Sequence, residues 1–350
     1  MKQDSERLDN DDRETPVGMK TMIKKWLTFI LKYCIGFFLL GWVLSRINVM
    51  DMLQALAQLS VAGILVSILF AALNIFFQYR RWKYLLEKQS SDLNKADILP
   101  SFFAGHTLRL VVPGGHAEIS KIFFLSGKKG GKLMAFGIEK IFQTYFKLVL
   151  ALIALPLVFS EYRSAMWSLA GLGIAAFFIV PVFGRHSFLK RFHEKEVNYF
   201  HLLRGTLWFT LLSFLSLDLQ FYILLREIYP IGFWPTLLVV IFILAAGLIP
   251  ISISGLGVRE NVAAFFLARY AVPGYAAVGI SLFTFFFNTI APALVGVYFI
   301  YQQKHALHEA KAALGQATRS IYFLGKTRLG NGNTKKAAAS DPQYVPDKFP

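Results

Sequence analysis

The chain has 350 residues, 55% of them hydrophobic and 15% aromatic, and its apolar runs repeatedly reach the ~20 residues that cross a bilayer as a helix. This excludes an ordinary soluble domain and predicts a polytopic, all-α membrane protein. The net charge of +16 does not point to nucleic acid, because the lysines and arginines cluster between apolar runs as in basic cytoplasmic loops, and a single cysteine, Cys34, excludes a disulfide framework and a Cys-based metal site.

Residues 1–25 carry charges of both signs and no small-residue cleavage pattern, so they read as a cytoplasmic segment before a retained anchor. Full spans are predicted at 26–47, 60–79, 135–158, 164–184, 205–225 and 276–301. The basic clusters Arg80, Arg81 and Lys83, then Lys121, Lys128, Lys129 and Lys132, then Arg185, Lys190, Arg191 and Lys195 are all expected in the cytoplasm. Residues 97–120 have basic sequence on both sides, so a single crossing would strand one lysine cluster outside. A re-entrant hairpin resolves this, with its tip at Pro113-Gly114-Gly115 and polar His106, Arg109, His116 and Glu118 on its arms. Residues 235–274 pose the mirror problem, solved by a second hairpin entering from outside with its tip at Pro250 to Gly257. The order span, span, hairpin, span then occurs twice in opposite senses. This is an inverted repeat of about 26–158 and 164–301, an arrangement from which many transporters build a midplane site. Residues 305–350 form a cytoplasmic tail with an amphipathic-looking stretch and a largely disordered end, so both termini are cytoplasmic.

The costliest residues are Arg259 and Glu260, beside the Pro/Gly break of the second hairpin. An ionisable side chain at bilayer depth costs at least ~2.5 kcal/mol unless it faces a partner or a water-filled cavity. A helix starting after each tip offers unpaired N–H groups and a positive dipole end to an anion. Gly255 and Gly257 permit close backbone approach, and Arg259 offers a bidentate guanidinium to a phosphate or carboxylate; the other reading pairs Arg259 with Glu260 or a tip carbonyl. Glu118 and Lys121 lie three apart and share a helix face, where Glu118 either contacts a ligand or caps the helix. Glu139 and Lys140 sit one turn into the third span as interfacial, snorkelling side chains, and Asp218 lies within the fifth. Asn288 reads as an interhelical hydrogen-bonding residue, and Arg80, Arg81 and Lys83 beside Trp82 as an interfacial anchor for anionic head groups. His116 has no second ligand at helical spacing and makes no metal site; no cofactor and no catalytic residue are assigned, since the chain holds no P-loop, nucleophile elbow or HExxH.

Pro113-Gly-Gly-His-Ala-Glu118-Ile-Ser-Lys121, the later Glu139-Lys140, and Pro250-Ile-Ser-Ile-Ser-Gly255-Leu-Gly257-Val-Arg259-Glu260 together resemble the lysylphosphatidylglycerol synthase transmembrane family, the flippase-like membrane domain, over roughly 26–304. The family usually has glycine where Ala117 stands, arginine where Lys121 stands, and often glycine at Ser254. The resemblance implies a bacterial inner-membrane flippase or transporter for a phospholipid or glycolipid with an anionic or zwitterionic head group. Its site residues would be Pro113, Gly114, Gly115, Glu118, Lys121, Glu139, Pro250, Gly255, Gly257, Arg259 and Glu260. The soluble aminoacyltransferase domain found beside the membrane domain in such synthases is lacking here, so lipid aminoacylation is not implied. Two other expectations stay open: a membrane-embedded transferase with Glu118, Glu139 or Glu260 as general base, and a non-catalytic partner in envelope assembly.

Overall fold

The computed structural model describes residues 31, 33–111, 116–159, 161, 163–183, 198–248 and 252–303, and every regular element among them is helical. Helix α1 (Tyr33–Ser45) meets α2 (Val49–Ala57) at 85°. Asn48 makes the corner, its side chain accepting from the Met50 N–H as an N-cap. Then follow α3 (Val61–Gln89), α4 (Ile98–Val111), a 3₁₀ stretch at His116–Phe124, α5 (Gly130–Val158), α6 (Arg163–Phe183) and α7 (Tyr199–Ile228). The chain continues with α8 (Phe233–Ala246), a 3₁₀ turn at Ile253–Gly255, α9 (Val258–Leu267) and α10 (Gly274–Gln302), the last passing through a π turn at Phe286–Ile290.

Among the described residues, α3, α5, α7 and α10 are long and apolar enough to cross a membrane, and the bent α1–α2 pair adds a fifth if it counts as one span. This is a multi-pass membrane protein. Its outward faces stay apolar, with Val61, Leu65, Ile141 and Leu172 exposed, because a lipid-facing surface has no reason to be polar. The helices run past several of the predicted ends. The second span continues through Arg80, Arg81 and Lys83 to Gln89, and the first breaks at its end into α2. Predicted features in residues 1–30, at 184–197 and after 303 lie outside the described residues.

Helices α3 and α7 run antiparallel along their length. The Ser60 N–H and hydroxyl, at the start of α3, both donate to Glu227 near the end of α7 at 2.9 Å, while Tyr84 near the end of α3 donates to the His201 carbonyl at 2.8 Å. Two shorter reversals flank this pair. In the first, α4 packs on the 3₁₀ stretch 116–124 and on α10, where the Thr107 hydroxyl donates to the Ala293 carbonyl at 2.6 Å. In the second, α8 packs on α9 through Phe242 and Phe266, whose rings stack 4.2 Å apart. The turn Ile253–Gly255 touches α4, so the two reversals approach each other inside the bundle.

Candidate functional site

A cavity of ≈ 380 Å³ lies where the reversals approach. It takes Asn74, Gln78 and Arg81 from α3, Lys140, Gln143, Thr144 and Lys147 from α5, Thr210 and Ser213 from α7, and Asn288 and Thr289 from α10. Asn74, Thr144, Ser213 and Asn288 stand at the middle of the four long helices, so the polar wall is drawn from the midpoint of each. The first reversal contributes His106, Arg109 and Glu118, the second Ser252, Ser254, Gly255 and Arg259.

The spacing explains why these side chains meet. Asn74, Gln78 and Arg81 recur at i, i+4, i+7, as do Lys140, Thr144 and Lys147, and Thr206, Thr210 and Ser213. That period puts each set on one face of an otherwise apolar helix. The faces are stitched together: the Asn74 amide donates to Asn288 at 2.7 Å, Asn288 donates to Gln220 at 2.6 Å, and Gln78 donates to Asn74 at 3.0 Å. Asn288 sits in the π turn of α10, a local widening that often accompanies functional sites.

Beside the cavity lies an ionic network. Lys121 Nζ is 2.6 Å from Glu139 and 3.5 Å from Glu118, Lys140 is 2.6 Å from Glu118, and Arg81 is 3.5 Å from Glu139. Lys121 also rests over the Trp82 ring at 3.8 Å from its centroid, while the Trp82 indole N–H donates to Ser101 at 3.0 Å. Each carboxylate thus touches two cations, an arrangement that offsets the desolvation of the buried pair.

Three further cations line the cavity without a hydrogen-bonding or ion-pair partner among the described residues: Arg109, Lys147 and Arg259. Among the described residues five Lys or Arg side chains line it against one carboxylate, Glu118. Such a cavity attracts an anion and repels a cation.

The second reversal is shaped by its backbone. Ser254, Gly255 and Gly257 have φ of 51°, 82° and 81°, the left-handed region that non-glycine residues enter only at a cost. Glycine at the Ser254 position in the resembled family suits this φ. After this turn α9 starts, and Glu260, fully buried, reaches back: its carboxylate accepts from the Gly257 N–H at 2.7 Å and from the Ser281 hydroxyl at 3.2 Å. Arg259, adjacent in sequence, lines the cavity, its guanidinium 5.4 Å from the Phe285 ring centre.

The predicted site residues therefore divide. Glu118, Lys121 and Glu139 come together in the ionic network, and Gly255 and Arg259 line the cavity. Glu260 does not line it but caps α9. Gly257 faces α1: a Cβ there would stand 2.7 Å from the Gly36 carbonyl oxygen and 2.8 Å from the Leu40 nitrogen. Pro113, Gly114, Gly115 and Pro250 lie outside the described residues, as does the His116 side chain. Three expectations are corrected. Arg81 and Trp82 are buried in the bundle instead of anchoring at an interface, because Glu139 and Thr210 receive the guanidinium there. Lys121 and Lys132 are likewise buried, and Glu139 is buried with two cationic partners where a snorkelling side chain was predicted. Asn288 bridges helices, as its position foretold. Sequence reasoning missed Lys147, Gln143, Asn74, Gln78, Thr210 and Ser213, although their helical spacing within apolar runs was a usable signal.

Fold and site together define a multi-pass membrane protein with a cation-rich cavity between its helices. The chain belongs to the family described as Lysylphosphatidylglycerol synthase TM region, which it matches over residues 29–296. No curated protein matches it in sequence.

Proposed function

We propose that the protein moves a lipid between leaflets, taking its anionic head group into the central cavity while the acyl chains stay in the bilayer. The observation that carries this reading is the position of the polar wall: it comes from the midpoint of all four bilayer-length helices and is closed by the two reversals. A cavity at mid-depth is where alternating access needs its site. Its size falls within the ~300–1,000 Å³ of small-molecule pockets, sufficient for a head group. Arg259 holds the phosphate with its fork of donors, joined by Arg109 and Lys147.

The accompanying topology is six full crossings and two oppositely directed re-entrant hairpins, α4 with 116–124 and α8 with α9, in a bacterial inner membrane with both termini cytoplasmic. The element order supports an inverted repeat, since α3, the first reversal and α5 are followed by α7, the second reversal and α10.

Reconstitution into liposomes tests the function: fluorescent phospholipid movement between leaflets should depend on the protein, with the lipid recovered chemically unchanged. Covalent modification of the lipid would replace this reading with a transferase. For the topology, cysteines placed at the exposed positions Ser126 and Pro230 in a Cys34-free background should label from the cytoplasmic and the outer side respectively. External labelling at Ser126 would remove the first hairpin.

A further inference from the structure

Asp218 takes no part in the site described so far. It lies in α7, is fully buried, and neither carboxylate oxygen finds a hydrogen-bond partner among the described residues. Polar side chains of α7 and of the helices packed on it are spent elsewhere: Ser213 and Ser216 donate to carbonyls of α7, Thr236 to the Gly232 carbonyl, Thr284 to carbonyls of α10, and Ser281 to Glu260. Charge does not answer it either. Helix α3 has no titratable side chain before Tyr79, α8 has none, and α10 has only Tyr275, Tyr298 and Tyr301. From α5 come Lys132, Glu139, Lys140, Tyr145 and Lys147, from α6 Arg163, and from α9 Arg259 and Glu260, none of which bonds to Asp218. On α7 itself Tyr222, one turn on, accepts from Arg226, and Glu227 accepts from Ser60. An ionised carboxylate enclosed without a partner is so costly that such a group takes up a proton instead.

The position of Asp218 gives that proton a role. It lies ~7 Å along the helix axis from Ser213, the cavity-lining residue at the middle of α7, toward the end that leads to Pro230. Phe214, one turn before it on the same helix face, and the adjacent Leu217 both line the cavity, so a rearrangement of that wall moves the stretch of α7 that carries the carboxyl.

We propose that Asp218 carries a proton and couples lipid movement to a proton gradient. This rests on the lipid-translocation reading above and adds its energy source. The packing of α7 against α3, α8 and α10 admits only the neutral acid. When those helices part toward one side of the membrane, water reaches the carboxyl, its O–H proton passes to that water, and the carboxylate is left solvated. To close again, the group takes a proton back from the side to which it is open. A proton thus travels with each change of side, bound to a carboxylate oxygen of Asp218.

The full-length protein in phosphatidylcholine liposomes with a trace of fluorescent phosphatidylglycerol tests this, with the membrane potential clamped. Without a pH gradient the probe should equalise between leaflets. A gradient of one pH unit should drive it to a leaflet ratio of up to about tenfold, the ratio that one proton per lipid sustains. Asp218→Asn, nearly the same shape and permanently neutral, should keep the thermal midpoint at neutral pH and equalise the probe with no response to the gradient. Infrared spectra at neutral pH should show the carbonyl stretch of a protonated carboxyl in the unmutated protein and lose it in Asp218→Asn. Equalisation under the gradient by the unmutated protein would overturn the coupling and leave the translocation reading standing, as would a gradient-driven ratio that survives Asp218→Asn. Identical carboxyl bands in the two proteins would overturn the protonated state. No movement of the probe under any condition would overturn the translocation reading and the coupling with it.

Discussion

Arg259 and Glu260 are neighbours in sequence and diverge in space: the guanidinium lines the central cavity while the carboxylate turns back to accept from the Gly257 N–H at 2.7 Å. The pair so suggestive of an intramembrane ion pair is instead divided between a wall and a cap. Glu260 sits in the first turn of α9, where the dipole and the unpaired N–H groups favour a carboxylate. Among the described residues Arg259 then has no hydrogen-bonding or ion-pair partner, only the Phe285 ring 5.4 Å away.

Arg259→Ala should abolish most lipid movement in liposomes, and Arg259→Lys should lose much of it, because one ammonium does not reproduce the two-donor fork. Removing a desolvated charged contact costs on the order of 2–5 kcal/mol in affinity. Since no acceptor in the described chain depends on Arg259, the thermal midpoint should hold within a few degrees. Both variants translocating at the unmutated rate would exclude the cavity as the head-group site.

Glu260→Gln should act on stability. It weakens a charge-assisted bond to the Gly257 N–H and one from Ser281, a loss of about 1–2 kcal/mol by analogy with capping substitutions. Chemical denaturation measures this, and lipid affinity of the folded fraction should stay within twofold, since the carboxylate faces away from the cavity.

Two glycines of one turn should behave differently. Gly257 combines φ 81° with α1 backbone atoms less than 3 Å from the position of an added Cβ, so Gly257→Ala should reduce the yield of folded protein and Gly257→Leu should eliminate it. Gly255 shares the φ, yet its added Cβ would meet only the Arg259 side chain at 3.1 Å, which can shift. Gly255→Ala should fold with a loss of about 1–2 kcal/mol from the left-handed backbone alone and impair lipid movement through Arg259.

Glu139→Ala should be among the most destabilising single changes in the bundle. It leaves buried Arg81 with only the Thr210 hydroxyl and Lys121 with only the longer Glu118 contact, and breaking a buried pair from one side costs about 3–5 kcal/mol. Arg81→Met in the same chain should recover part of the loss in thermal midpoint; no recovery would mean that the two residues are not energetically coupled.

What the sequence determined by itself was whatever is local. Apolar length and basic flanks mark the bilayer-length helices, since crossing a membrane is a property of some twenty consecutive residues. The break at Gly255 and Gly257 and the charge of Arg259 were legible because broken backbone and charge are costly in lipid wherever they occur. The membrane class and the family followed from such signals. Tertiary structure decided which polar residues meet. Arg81 reads locally as one of a basic cluster at a helix end, and only the packing of α3 against α5 and α7 brings it to Glu139 and Thr210. Lys121 and Glu139 pair across 18 residues, Asn74 and Asn288 across 214, and such partners leave little trace in either local segment. The direction of Glu260 was undecided by sequence for the same reason: a carboxylate beside a helix start can cap it or leave it, and the Ser281 hydroxyl arriving from α10 completes the cap. Buried charge is stable only with its partners in place, and those partners are a property of the folded bundle.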